Sequence, residues 1–203
     1  MKTLIVTGGT GGLGTTVVGR LARDYDCVLL GRDDFATDET LRAAVARNGA
    51  PYGLVHMAGG YAGGISAETW DRMMSLNLTL AFRAIRATLA AMRRDQPGRI
   101  VAISSEATIT KSAGAAAYVV SKTALNALIE MTAAELAGTP ITANALLPGT
   151  LDTPASRKAM PDAPRVPLER VAETIGFLLS DAGASVNGAL IRLQATTDLQ
   201  SPQ

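Results

Sequence analysis

The sequence predicts an α/β chain: a parallel sheet covered by helices on both faces, in a single domain spanning residues 1–203. Three observations predict it. Short apolar runs alternate with helical stretches along the whole chain, the pattern of β-α-β units whose crossovers cover both faces of a parallel sheet. A glycine cluster lies directly between the first run and the first helix. The 203 residues are 47% hydrophobic throughout, with no linker, repeat or second composition, which fits one core.

The elements follow in order. Thr3–Thr7 is a strand, then glycines, then a helix over Gly12–Asp24. Cys27–Leu30 is a second strand. Asp38–Asn48 is helical, with Asp38 as N-cap and Gly49 past its end. Gly53–Met57 is a third strand, and Ala67–Arg94 one long helix stopped by Pro97-Gly98. Arg99–Ser104, Ile141–Leu147 and Ala189–Leu193 are further strands; Ala115–Ala137 and Leu168–Ser180 are helices. Between Arg32 and Asp38 there is no room for a strand plus a helix, which together need at least about 10 residues. The expectation is six strands, or seven with one reduced to a stub near Asp34-Phe35. Four prolines in 150–167 limit helix formation, so that segment reads as a substrate loop with short helical pieces.

Composition narrows the function. A net charge of +1 gives no case for nucleic acid or an anionic membrane surface. One cysteine, Cys27, and one histidine, His56, leave little to hold a transition metal. His56 ends a buried strand and reads as a packed, hydrogen-bonded residue rather than a base. No apolar stretch approaches the roughly 20 residues of a membrane helix, and Met1-Lys2-Thr3 runs straight into a strand without a signal peptide. A cytoplasmic protein is expected. Alanine-rich faces on the two longest helices leave a second apolar surface, read as the interface of a homodimer.

The chemistry is carried by a few residues. Gly8, Gly9, Gly11, Gly12 and Gly14 lie where a strand gives way to a helix; glycine there lets the backbone turn tightly and approach a pyrophosphate at the helix N-terminus. Two registers fit, Gly9-x-Gly11-x-x-Gly14 and Thr7-Gly8-x-x-x-Gly12-x-Gly14. At the end of the second strand stand Gly31-Arg32. No carboxylate is there for a ribose 2′-OH, whereas Arg32 can pair with a 2′-phosphate. NADP(H) is favoured, with NAD(H) the alternative; Asp33 and Asp34 partly offset Arg32. Tyr118 and Lys122 stand one helical turn apart, so the cation can lower the phenol pKa from its usual value near 10. Ser105 ends a strand 13 residues before Tyr118.

Taken together, Thr7-Gly8-x-x-x-Gly12-x-Gly14, Ala58-Gly59, Asn77, Ser105, Tyr118-x-x-x-Lys122 and Pro148-Gly149 resemble the short-chain dehydrogenase/reductase family and span most of the chain. The resemblance implies a Rossmann-like doubly wound sheet and an NAD(P)-dependent oxidoreductase. It implies a catalytic set of Asn77, Ser105, Tyr118 and Lys122. Tyr118 would be the proton donor, Ser105 would hold the substrate atom that gains charge, and Lys122 would lower the Tyr118 pKa and bind the nicotinamide ribose. Asn77 would hold a water near Lys122 by bending its helix locally. The cofactor would lie on Gly8, Gly12, Leu13, Gly14, Arg32, Asp34, Ala58, Gly59, Tyr118, Lys122, Pro148, Gly149 and Thr153. Asp34 either touches the adenine or is a solvated turn residue. Substrate would meet Tyr61, Ser105 and Met160, with no metal.

A narrower resemblance is to dihydropteridine reductases. It rests on Leu151-Asp152-Thr153-Pro154-x-x-Arg157-Lys158-x-Met160-Pro161, on Ala58 through Gly64, and on the tail Gly188-Ala189-Leu190-Ile191 with Thr196-Thr197-Asp198. It implies a pterin substrate, on whose ring Tyr61 would stack. Gly31-Arg32 and Ser105 depart from that pattern, as His56-Met57 departs from the family's paired asparagines. Two other readings stay open: a general carbonyl or alcohol oxidoreductase, which Ser105 favours, and a dinucleotide-binding sensor without turnover, which would have no use for Tyr118 and Lys122.

Overall fold

The computed structural model describes residues 1–111 and 113–195; the tail residues Thr196, Thr197 and Asp198 of the narrower resemblance lie outside them. Six strands form one sheet: β1 (Lys2–Thr7), β2 (Tyr25–Leu30), β3 (Gly53–His56), β4 (Gly98–Ile103), β5 (Ile141–Pro148) and β6 (Leu190–Leu193), in the order β2-β1-β3-β4-β5-β6. Every pairing is parallel. Chain order reverses at β1, so the strand ends of β1 and β3 open a crevice there, where doubly wound sheets bind their ligands.

Side chains alternate across the sheet as strand geometry requires. Ile5, Leu54, Ile100 and Ala145 face one layer of core. That layer is closed by α2 (Asp38–Ala46), α4 (Leu80–Ala91) and α6 (Ala116–Glu135). Leu4, Val6, Val55 and Val101 face the other, closed by α1 (Gly14–Leu21) and α8 (Leu168–Leu179). Strands β3, β4 and β5 are buried along their whole length, the burial expected of central parallel strands.

The six-strand expectation holds. In place of the missing unit the chain makes one turn of 3₁₀ helix, Asp33–Phe35. Arg83 of α4 secures it, donating to the Phe35 carbonyl at 2.9 Å and to Asp38 at 3.1 Å; Arg86 also pairs with Asp38.

Two local expectations are corrected. Thr37, not Asp38, caps α2: its side chain accepts from the Thr40 amide while Thr40 bonds back, and this reciprocal pair leaves Asp38 free for the arginines. The helix from Ala67 is not continuous. It runs as α3 (Ala67–Met74), a π-helical turn (Ser75–Thr79) and α4, ending at Ala91. Segment 150–167 carries a short helical piece as expected, α7 (Pro154–Ala159), while a further short helix that was not expected, α5 (Ala107–Thr110), follows β4. Among the described residues no helix is long and apolar enough to cross a membrane.

Candidate active site

The glycine turn is fixed by its own backbone. Gly8 has φ +71°, and a Cβ on Gly14 would stand 2.1 Å from the Gly8 carbonyl oxygen, so only glycine fits at either place. The turn delivers the chain into α1 with Leu13 buried in the core beneath it. The amides of Gly12 and Leu13 are left without a backbone partner among the described residues. Unpaired amides at a helix N-terminus are what a pyrophosphate requires, so these residues fit a dinucleotide.

At the end of β2, Arg32 makes no ion pair among the described residues. Of the two carboxylates expected to offset it, Asp34 is engaged elsewhere, accepting from the Gly31 amide at 2.8 Å and facing Arg47 at 3.6 Å, and Asp33 makes no ion pair with it among the described residues.

The second group of residues gathers where β3, β4 and β5 end. Lys122 is buried on α6, and its Nζ donates to the Ile103 carbonyl at 2.8 Å. Burial pulls its pKa down to about 8. Tyr118 lies one turn before it on the same helix, edge-on to Tyr61 with ring centroids 5.1 Å apart. Burial pushes the Tyr118 phenol above its ordinary value, while the Ser105 hydroxyl pulls it the other way. This corrects the expectation that Lys122 lowers it. The Lys122 ammonium is bonded to the strand at Ile103, and burial sets the direction of the Tyr118 shift.

Asn77 sits in the π-helical turn and is wholly buried. That turn interrupts the regular α-helix at Asn77. Its side chain, however, is committed to protein. Oδ1 accepts from the Gly60 amide at 2.9 Å, and Nδ2 donates to the Gly60 carbonyl and to Ser121 Oγ, each at 3.0 Å. Asn77 thus ties the Ala58–Gly60 loop to α6. Gly59 permits the approach, since a Cβ there would lie 2.8 Å from Asn77 Oδ1 and 3.2 Å from Lys122 Nζ.

His56 is the packed residue expected. Its Nδ1 is 2.8 Å from Thr7 Oγ1, which also receives the Ala58 amide at 3.3 Å. Burial, with Lys122 adding to it, lowers its pKa to about 3, so the ring is neutral and no base.

These residues surround a cleft of about 800 Å³. Its walls include Gly59, Tyr61, Ser105, Tyr118, Lys122, Pro148, Gly149, Thr153 and Met160. Tyr61 and Met160 are largely exposed at its mouth. Thr153 caps α7, accepting from the Ser156 amide. The Gly149 amide bonds the Leu193 carbonyl at 2.8 Å, and that of Glu106 bonds the Pro148 carbonyl at 2.9 Å. Of the predicted residues, Gly8, Gly12, Leu13, Gly14, Arg32 and Asp34 lie around the ends of β1 and β2, Ala58 and Asn77 stand behind the cleft without lining it, and the rest line it. Sequence reasoning missed Glu106, a cleft residue beside Ser105; its adjacency to that serine was the available signal. Among the described residues no group of three potential ligands could hold a metal.

Comparison with known proteins agrees with this geometry. Residues 32–164 match the family model described as short chain dehydrogenase. A 3-oxoacyl-acyl-carrier-protein reductase of Pseudomonas aeruginosa is 32% identical over 61% of this chain and 55% of its own. The cyclopentanol dehydrogenase of Comamonas testosteroni is 27% identical over 93% of both chains. Among solved structures, a short-chain type dehydrogenase/reductase from Mycobacterium ulcerans superposes with a TM-score of 0.84 at 26% identity, over 95% of this chain and 88% of that one. These relatives are named for ketoacyl and alcohol substrates, and the narrower dihydropteridine reductase resemblance finds no support in them.

Proposed function

The chain belongs to the short-chain dehydrogenase/reductase family and is an oxidoreductase of that type; we propose that it reduces a small carbonyl compound with NADPH, with Tyr118 as the proton donor. The observation that carries this reading is the convergence of Ser105 and Tyr118 with Lys122 in one cleft. The dinucleotide supplies the hydride when bound. The Gly12 and Leu13 amides would hold its pyrophosphate, and Arg32, which makes no ion pair among the described residues, would take the 2′-phosphate. Ser105 Oγ holds the substrate oxygen while the Tyr118 phenol gives it a proton. The raised Tyr118 pKa keeps that phenol protonated across the neutral range. The Lys122 ammonium, held on the Ile103 carbonyl, places positive charge behind the tyrosine.

A second reading, a quinonoid dihydropterin as substrate, is favoured by Tyr61, whose ring stands beside Tyr118 at an open cleft mouth where a flat ring can stack. The test is oxidation of NADPH and NADH with a panel of ketones and with dihydropterin, beside Tyr118→Phe. Ketone turnover with NADPH that the variant loses supports the first reading. Turnover with dihydropterin alone moves the substrate to the second. NADH preference removes the role given to Arg32. Phe82 on α4 and Val120 and Met131 on α6 are exposed apolar residues that suit a homodimer; a monomeric mass by light scattering would remove that proposal.

A further inference from the structure

Glu106 follows Ser105 and is the only carboxylate among the described residues lining the cleft. Its backbone is fixed by the bond to Pro148. Its side chain is 18% exposed and anchored on one oxygen: Oε1 accepts from Arg192 at 2.5 Å and from Gln194 at 2.6 Å, both at the end of β6. Oε2 has no bond among the described residues. It lies 3.0 Å from where a Cβ on Gly149 would stand, so the glycine leaves it uncovered at the cleft wall. An ionised carboxylate has acceptor sites on both oxygens, and Arg192 holds this one below the usual carboxylate range, hence ionised at neutral pH. Arg192 and Gln194 orient the group without using its second oxygen. Apart from Lys122, already committed to Ile103, the described residues of the cleft walls carry no other charged side chain.

We propose that Glu106 Oε2 is a substrate-recognition acceptor. It binds an N–H or O–H donor carried beside the reducible group, and so selects neutral or cationic substrates and disfavours carboxylates. This rests on the reductase reading for the identity of the cleft as substrate site. A carboxylate substrate would place its own acceptors against an acceptor that has no proton to offer, and an unmatched polar contact of this kind is what makes such sites selective.

The test uses two flat molecules of one size, benzamide and benzoate, titrated by ligand-observed NMR into the full chain with NADPH present. Wild type should bind benzamide at least about tenfold more tightly than benzoate, the ratio of one well-made polar contact. Glu106→Gln should bring the ratio to within about threefold, because the amide can both donate and accept. Arg192→Gln keeps the carboxylate and leaves Gln194 to hold Oε1, so it should preserve the preference. If both variants lose the ratio alike, Glu106 only fastens β6 and the proposal falls. It also falls if Glu106→Gln leaves the ratio intact, or if the variant weakens NADPH instead, which would make Oε2 a cofactor contact. Binding is read apart from turnover: the expected ratios with no ketone or pterin reduced would retire the reductase reading and leave this recognition standing.

Discussion

The glycine turn and the catalytic cluster are built on opposite principles. The turn is specified by what is missing. At Gly8 and Gly14 any side chain would collide with backbone only a few residues away, or with the adjoining Ala58. The cluster is specified by what is present: Asn77, Ser121, Lys122 and His56 are buried polar groups, each bonded to a partner from a distant part of the chain. Burial of such groups is costly unless they are bonded. The first region therefore fails by steric overlap, and the second by leaving a polar group unpaired or in the wrong charge state.

The largest effect should come from the cluster. Tyr118→Phe removes the proton donor and should lower kcat/KM by about 10³, the middle of the range for general acid catalysis. NADPH affinity, measured by fluorescence titration, should hardly change; a matching loss of affinity would mean the two regions are not separable. Gly14→Ala is the counterpart in the turn. Its Cβ would stand 2.1 Å from the Gly8 oxygen, and the forced shift should destabilise the fold by about 2–3 kcal/mol and weaken NADPH while leaving Tyr118 untouched. A wild-type melting temperature for this variant would show that the turn yields more easily than its contacts imply.

Asn77→Ala leaves both polar groups of Gly60 without the side chain that satisfies them. A cost of about 1–3 kcal/mol in urea unfolding is expected, and kcat should fall as the loop loosens from α6. Unchanged stability would mean that water replaces the amide readily. The pH profile is a gentler probe of the same cluster. With Lys122 at about 8, reductive kcat/KM should decline above pH 8, by up to about tenfold per unit as the ammonium loses its proton. Stability should move the other way. The unfolded lysine titrates near 10.4, so between pH 8 and that value the unfolded chain holds more protons than the folded one. The lysine's contribution to stability thus rises with pH through this window. A rate that stays flat to pH 10 would place the charge elsewhere. Smallest of all, Asp38→Asn breaks an exposed pairing with Arg83 and Arg86 and should leave the urea midpoint almost unchanged; a clear drop would show that the pairing holds the turn before α2.

Local sequence was legible where the physics is local. The glycine spacing, the Tyr118–Lys122 turn, and the want of room between Arg32 and Asp38 are relations between near neighbours. From them the number of strands and the candidate residues at the two ends of the site could be read. What was not legible depends on partners that sequence distance hides. The π-helical turn at Ser75–Thr79 interrupts a stretch with no proline or glycine to announce it. The Thr37 cap competed with an equally good candidate one residue on. The direction of the Tyr118 shift was misread because helical spacing shows that Lys122 is near, but not how deeply both groups are buried nor that Ile103 holds the ammonium.

By itself, then, the sequence determined the fold class, the alternation of buried faces, the family and the positions of Ser105, Tyr118 and Lys122. The fold class follows from periodicity and backbone sterics and the Tyr118–Lys122 pair from spacing along one helix, while the family and Ser105 follow from the resemblance of the motifs taken together. Only the tertiary structure decided the protonation of that set, the commitment of Asn77 to Gly60 and Ser121, and the anchoring of Glu106 by Arg192 and Gln194 across the sheet. These depend on burial and on contacts between residues tens of positions apart, and such contacts exist only once the strands have been brought side by side.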